Sequence, residues 1–288
     1  MFFRHGNIGM PAGDDMFAFD SAKRLAVIPI EVSRNGIFFR VKMNGSGPLW
    51  FSLDSGAGTN YLDKGAARKL GLPPGEKADV QGAGAGRVEV ERIRGVSFEM
   101  PGLRSDQHQV NVVDLEPVQE GWGRRLDGFF GHDFLIRFIV TVDYGAGLLT
   151  VADPAIHRYD GPGVSVPIEF ERSLPFVRAR IEVAGNPPEE DMFLVDSGSQ
   201  DFVDHPLIGK STTGTRSVPT GVGLGTPVPG VLGQVSRFNL GGFEMKDLTG
   251  VAGGVGLGSR LIGGGVLSMF KVVFDYPGKR MFLEPRRR

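Results

Sequence analysis

Two short stretches carry a carboxylate out of an apolar run and into a Ser-Gly turn. They are "FSLDSGAGTNYLD", Phe51 to Asp63, and "MFLVDSGSQDFVD", Met192 to Asp204. Asp54 and Asp196 hold the same place in the two. Asp is a poor strand residue and is costly to bury unless it is hydrogen-bonded or put to use. In such a turn the Gly, lacking Cβ, can bring its N–H close to the carboxylate, and the Ser adds a hydroxyl. Donors of this kind favour the ionised form. If the two loops meet across a two-fold axis, their carboxylates come within about 3 Å and cannot both ionise, so one proton is shared. One Asp is then a base and the other a neutral acid. That pair can deprotonate a water as it attacks an amide carbonyl and protonate the carbonyl oxygen.

The elements around these loops are also written twice. "IPIEVSRNGIFFRVKM" (Ile28 to Met43) parallels "VPIEFERSLPFVRARI" (Val166 to Ile181), and "FEM" at Phe98 recurs at Phe243. "FFGHDFLIRFIVTVDYGAGLLTV" (Phe129 to Val151) parallels "LIGGGVLSMFKVVFDYPGKRMFL" (Leu261 to Leu283). Gly131, Leu135, Phe138, Asp143 and Tyr144 match Gly263, Leu267, Phe270, Asp275 and Tyr276. Matched blocks in one order, with gaps in loops, read as an internal duplication. Each unit reads as a hairpin into the DSG loop, a Gly-rich hairpin, further strands, an apolar-apolar-Gly step, a helical turn and a last strand. In the first half a short helix, "KGAARKLG", follows the loop and ends on Gly71. The expected layout is an arm over 1–20, one lobe over 21–153, a linker rich in turn formers over 154–163 and a second lobe over 164–288. Whether the arm adds an edge strand is left open.

Composition sets the outer bounds. The 288 residues are 23% charged and 41% hydrophobic, a globular profile with ample length for a buried core. The net charge of -1 supplies no bulk field for nucleic acid or anionic membrane. The "RRR" of Arg286 to Arg288 reads as a solvated tail. With no cysteine, disulfides, Cys-ligated metals and a thiol nucleophile are excluded. No apolar run reaches a membrane-spanning length. The opening "MFFRHGNIGMPAGDDMF" lacks the apolar core of a signal peptide, which suits an intracellular protein or one whose export signal is missing from this chain. Forty-four glycines punctuating short Val-, Ile- and Phe-rich runs predict a mainly β chain.

The chain resembles the aspartic peptidases of the pepsin and retropepsin superfamily. The motifs that carry the resemblance are "LDSGAG" and "VDSGSQ", each followed later by apolar-apolar-Gly, "FFG" and "LIG". The likeness runs from about residue 26 to 285, and the short, cysteine-free repeats look most like bacterial single-chain enzymes built of two fused retropepsin-like halves. It implies a mainly β fold of two pseudo-two-fold-related lobes with short helices and a peptide cleft between them. It implies Asp54 and Asp196 as the catalytic dyad, Ser55 and Ser197 in an interlocked hydroxyl network, and Gly56 and Gly198 as N–H donors. Ala57 and Ser199 follow in the loops, and Gly131 and Gly263 support them from the second motif. Because Ser199 can donate to Asp196 while Ala57 has no hydroxyl, Asp196 is expected to be the more acidic partner. "VQGAGAGRVEV" (Val80 to Val90) and "PTGVGLGTPVP" (Pro219 to Pro229) are the candidate flaps, with Gly82, Gly84, Gly221 and Gly223 in them.

The implied activity is an endopeptidase acting on extended polypeptides, with no metal and no cofactor, complete in one chain. A mild-acid optimum, roughly pH 4 to 6, follows from ordinary carboxylate pKa values. The alternative is a catalytically inactive peptide-binding protein on the same fold. A nucleotide-binding module is the third reading, and the β pattern counts against it because no Gly loop opens a strand-to-helix unit. Asp143 and Asp275 read as strand-end turn residues. The five histidines show no ligand spacing, and Asp63, Asp201 and Asp204 miss a calcium loop. The segment Arg104 to Gly128 exceeds its counterpart and is expected to shape one end of the cleft.

Overall fold

A computed structural model describes residues 16–81, 86–220, 224–253 and 259–286. The chain is mainly β, a two-lobe arrangement of several sheets with short helices. A nine-stranded sheet takes its strands from between Met16 and Phe130, and an eight-stranded sheet from between Glu169 and Gly263. A six-stranded sheet joins the two. Its order is Val164–Pro167, Arg280–Pro285, Phe270–Asp275, Ile139–Asp143, Leu148–Ala152, Leu25–Pro29, so each half contributes three strands.

The register of pairing repeats with the sequence. The two central strands of the joining sheet run antiparallel with Thr141 opposite Val273, positions that match in the two blocks. Pro29 lies opposite Leu148 in one half, and Pro167 lies opposite Arg280 in the other. Asp143 and Asp275 close the turns after these central strands. Asp143 Oδ1 accepts from the N–H of Gly145 and Ala146, and Asp275 Oδ1 accepts from that of Gly278. Both therefore do what strand-end aspartates do.

What positions the DSG loops is an insertion. The strand Leu49–Leu53 enters the first loop and Tyr61–Asp63 leaves it. Between them lies Gly128–Phe130, parallel to the first and antiparallel to the second, with Ser52 opposite Phe129. In the other half Leu261–Gly263 lies between Glu189–Asp196 and Val203–Asp204, with Leu194 opposite Leu261. A strand flanked on both edges and packed on both faces must be apolar throughout. Gly128, Phe129 and Phe130 are all buried, and the Phe130 ring stacks 4.7 Å from Phe134 and lies 4.8 Å from Phe98. Each fully buried aromatic contributes on the order of 2 kcal/mol, so the loops rest on a rigid floor.

Asp63 then starts the short helix Lys64–Lys69: its Oδ2 accepts from Ala66 N–H, and Gly71 follows the helix at φ +65. Residues 16–19 form an edge strand on Leu103–Val113, with the Phe17 ring 4.7 Å from Phe138. The segment between the halves lies against the joining sheet, where Tyr159 packs 4.3 Å from Phe282 and donates to Glu284 Oε1 at 2.6 Å.

Candidate active site

The loop serines are locked to each other. Ser55 N–H donates to Ser197 Oγ at 3.0 Å, and Ser197 N–H donates to Ser55 Oγ at 2.9 Å. Each hydroxyl then donates across the interface to the residue before the other loop's Asp: Ser55 Oγ to Val195 O at 2.8 Å, Ser197 Oγ to Leu53 O at 2.9 Å. Both serines are fully buried. Four bonds in two reciprocal pairs fix the loops relative to each other in a setting where an unmade bond costs about 1–3 kcal/mol.

Above them the carboxyls of Asp54 and Asp196 lie within each other's field, each beside the opposite loop's glycine. Two carboxyls so placed cannot both ionise freely, and such a pair favours a single shared proton. Burial pushes the Asp54 carboxyl well above the ordinary range, the Asp196 charge pushes it further, and the N–H groups of Gly56 and Ala57 pull it back. Burial raises Asp196 too, but the Asp54 carboxyl and the N–H groups of Gly198 and Ser199 hold it down. Both carboxyls are thus raised, Asp54 the further, and their titration belongs to the pair. Asp54 Oδ1 is buried with no hydrogen-bond partner.

The glycines of the loops are required by contact. A Cβ on Gly198 would fall 2.5 Å from Asp54 Cγ, and one on Gly56 would fall 2.6 Å from Asp196 Oδ1. Each glycine thus faces the opposite carboxylate, and Gly198 N–H also donates to Asp196 Oδ1 at 2.8 Å. Side chains of any size there would drive the dyad apart.

The second motif ties down each loop from behind. His132 N–H donates to Ala57 O at 2.9 Å, and Gly264 N–H donates to Ser199 O at 2.8 Å, the matching bond in the other half. Asp54 N–H donates to Phe130 O at 2.9 Å. Gly131 N–H donates to the side-chain Oδ1 of Asn60 at 2.9 Å, while Gly263 N–H donates to the main-chain O of Phe202 at 3.0 Å. One sequence expectation changes here. The Ser199 hydroxyl accepts from Asp201 N–H at 3.2 Å, and it is the Ser199 N–H that reaches Asp196. The acidity of Asp196 comes from main-chain donors and the Asp54 carboxyl.

Residues 39–134 match the family model described as aspartyl protease. The match covers about a third of the chain, includes Asp54 and Gly131, and supports a protease. No curated protein matches the chain significantly.

The expected flap glycines Gly82, Gly84, Gly221 and Gly223 lie outside the described residues. The hairpins that carry them are described: Glu76–Gln81 with Arg87–Met100, and Arg216–Thr220 with Val228–Leu240. Leu224, from the second hairpin's turn, packs on the apolar cluster of the first half that holds Phe38, Tyr61, Val90 and Trp122. A cavity of about 270 Å³ opens there, and its lining mixes Val88, Val90, Val112, Val113 and Leu224 with the charged Lys64, Glu89, Glu91 and Asp114. The segment Arg104 to Gly128 supplies the helix Glu116–Trp122 beside it. The carbonyl of Gly121 accepts from Gln200 Nε2 at 3.0 Å, which links that helix to the second DSG loop.

Sequence spacing missed two further groups. Tyr276 is buried, and its phenol is pushed well above its ordinary value by burial and then by the charges of Asp54 and Asp196. Reading the Asp-Tyr pair as a turn overlooked the Tyr. Glu189, Asp191 and His205 also converge, their ligand atoms within 4.8 Å of one another. A metal does not suit them. His205 Nδ1 accepts from Leu207 N–H at 3.1 Å, so the ring proton sits on Nε2, the atom facing Asp191 at 3.7 Å. Metal-ligating histidines usually carry the opposite arrangement, with the second nitrogen donating. Arg260 also pairs with Asp191 through Nε.

Proposed function

We propose that the protein is an aspartic endopeptidase that hydrolyses extended polypeptides, with a water activated between Asp54 and Asp196. The observation that carries this reading is the pair of Asp-Ser-Gly loops interlocked by Ser55 and Ser197, with each carboxylate set beside the opposite loop's glycine. Asp196, the more anionic, takes the proton of the attacking water. Asp54 gives its proton to the carbonyl oxygen as the tetrahedral intermediate forms. As the C–N bond breaks, the proton taken by Asp196 passes to the leaving amine and Asp54 takes a proton back from a hydroxyl of the intermediate, so the pair returns to its starting state. No covalent intermediate is needed.

The repeated blocks and their repeated registers support descent from a duplicated half. Both aspartates then lie in one chain, and the site needs no second copy: specific activity should not fall on dilution. Extended substrate would bind by strand-type main-chain bonds under the two hairpins, with alternate side chains in pockets.

The working pH belongs nearer neutrality than the roughly pH 4 to 6 that ordinary carboxylates suggest. Both dyad carboxyls are raised, so the shared proton persists to higher pH. The buried histidines His108, His132 and His205 are all held below the ordinary imidazole value, chiefly by burial, so acid works against the fold.

The test is cleavage of a random peptide library by wild type, Asp54→Asn and Asp196→Asn across about pH 3 to 8. Cutting by wild type alone supports the reading. An inert wild type that still binds extended peptides makes the protein a binding module on the same fold.

A further inference from the structure

The first half of the site is supported by a side chain where the second half uses the main chain. Asn60 and Phe202 occupy matching positions, six residues after Asp54 and Asp196. Gly263 N–H is met by the carbonyl of Phe202, Gly131 N–H by the amide oxygen of Asn60. That contact fixes how the Asn60 amide is turned: Oδ1 faces Gly131, so Nδ2 faces His108 Nε2, 2.5 Å away. His108 Nε2 must then accept, and its proton sits on Nδ1. Asn60 is 0% and His108 1% exposed.

The fold goes out of its way to bring His108 there. Along Leu103–Val113 the inward residues run Leu103, Ser105, then His108 and Val110, with Asp106 and Gln107 both exposed. A strict alternation from Ser105 would turn Gln107 in and His108 out. Gln107, at φ +64, and Gly95 opposite, at φ +76, lie where the pairing register shifts, and the irregularity moves the alternation by one. His108 is thereby driven into a box of rings: Phe98 at 4.6 Å, Phe17 at 6.0 Å, Phe130 at 6.4 Å. Its Nδ1 has no hydrogen-bond partner. The charged group whose field reaches the ring is Arg137, which opposes protonation.

We propose that Asn60, oriented by a neutral His108, is a positioning residue that holds Gly131 and hence the Asp54 loop, and that this latch opens in acid when His108 gains a proton. A protonated Nε2 would face the Asn60 NH2, donor against donor. Flipping the amide would set the NH2 against Gly131 N–H instead. Neither orientation satisfies both neighbours. The segment that bonds Asp54 N–H through Phe130 O and Ala57 O through His132 N–H would lose its central tie. Burial, with Arg137, holds the imidazole down to about 3, so the latch stays closed through ordinary conditions.

The consequence for catalysis rests on the peptidase reading, so the test has an arm that does not. In wild type, imidazole nitrogen NMR should show His108 as the Nδ1–H form, neutral down to about pH 3, and the Gly131 amide should move with the same midpoint. A folded-state midpoint near the free imidazole value, or a Gly131 amide that ignores it, overturns the latch whether or not the protein cuts peptides. In the activity arm, Asn60→Ala should lower kcat about tenfold or more with KM changed less than about threefold. His108→Gln, which can still accept from Asn60 but cannot gain a proton, should abolish the acid movement of the Gly131 amide. Unchanged kcat in Asn60→Ala overturns the positioning role, and a Gly131 amide that still moves near pH 3 in a folded His108→Gln overturns the latch. An inert wild type defeats the peptidase reading alone, and the NMR arm then decides the latch.

Discussion

The two DSG loops share their serine interlock and their main-chain tie to the second motif, and one difference behind them separates geometry from chemistry. Ala57 O and Ser199 O accept matching N–H groups, and Ser55 and Ser197 bond reciprocally. Behind the first loop, however, Gly131 leans on Asn60 and His108, whereas behind the second, Gly263 leans on the Phe202 main chain. Equivalent geometry is reached by a group that cannot titrate and by one that depends on a neutral histidine. A main-chain acceptor comes with any residue that keeps the backbone path. A side-chain acceptor must be oriented by a second group, and that group brings its own pH dependence.

The comparison breaks most completely if the two aspartates are not equivalent in need. Asp54→Asn and Asp196→Asn should each lower peptide cleavage by at least about a thousandfold, because neither half-dyad can both accept and donate. Steady-state hydrolysis of a library-derived peptide measures this, and retention of activity by either variant would end the shared-proton account. The next largest effect belongs to the facing glycines. Gly56→Ala and Gly198→Ala should each cost about 2 kcal/mol or more in stability, and activity with it, since each new methyl meets the opposite carboxylate. Chemical denaturation reads the cost, and the two values should agree within a factor of about two if the loops are truly alike.

The sharpest contrast is in pH. His108 has a folded value of about 3 against 6.5 unfolded, so between those values the unfolded chain binds more protons. The stability is fully present above the unfolded value and is lost as pH falls toward the folded one. From pH 7 to pH 4 His108 alone should remove about 3 kcal/mol, and His108→Gln should flatten that part of the profile. A wild-type stability that does not fall over this range would show that the first loop is as indifferent to acid as the second.

Smaller again is the hydroxyl pair. Ser55→Ala and Ser197→Ala should each cost about 1–3 kcal/mol, and the double variant less than the sum, because each removes bonds the other shares. The smallest effect is expected at Ser199→Ala, within about 1 kcal/mol and with the pH–rate profile unmoved. A shifted profile there would restore the hydroxyl donation that the side-chain pattern suggested.

Much of this site was legible before any coordinates. Asp54 and Asp196 stand in local motifs whose meaning lies in their repetition, and "FFG" and "LIG" were marked by apolar run and glycine alone. A mainly β chain followed from short Val-, Ile- and Phe-rich runs between glycines, because strand, turn and breaker preferences act over a few residues. The helix after the first loop could be read from its ends for the same reason.

Other features belong to tertiary structure because they depend on which surfaces meet. His108 looked like one of five unplaced histidines, since a bulge that shifts the strand's alternation by one residue is set by pairing with a partner strand and leaves no periodic trace. No local pattern marks Asn60; its meaning comes from Gly131, 71 residues on. The direction of the Ser199 hydroxyl was decided by the nearer Asp201 N–H, and Tyr276 was brought beneath the dyad by the strand before it. Sequence determined which residues could share a proton. The packing of one half against the other decided that their loops meet, since the serine bonds join positions 142 residues apart and each loop glycine faces the opposite carboxylate.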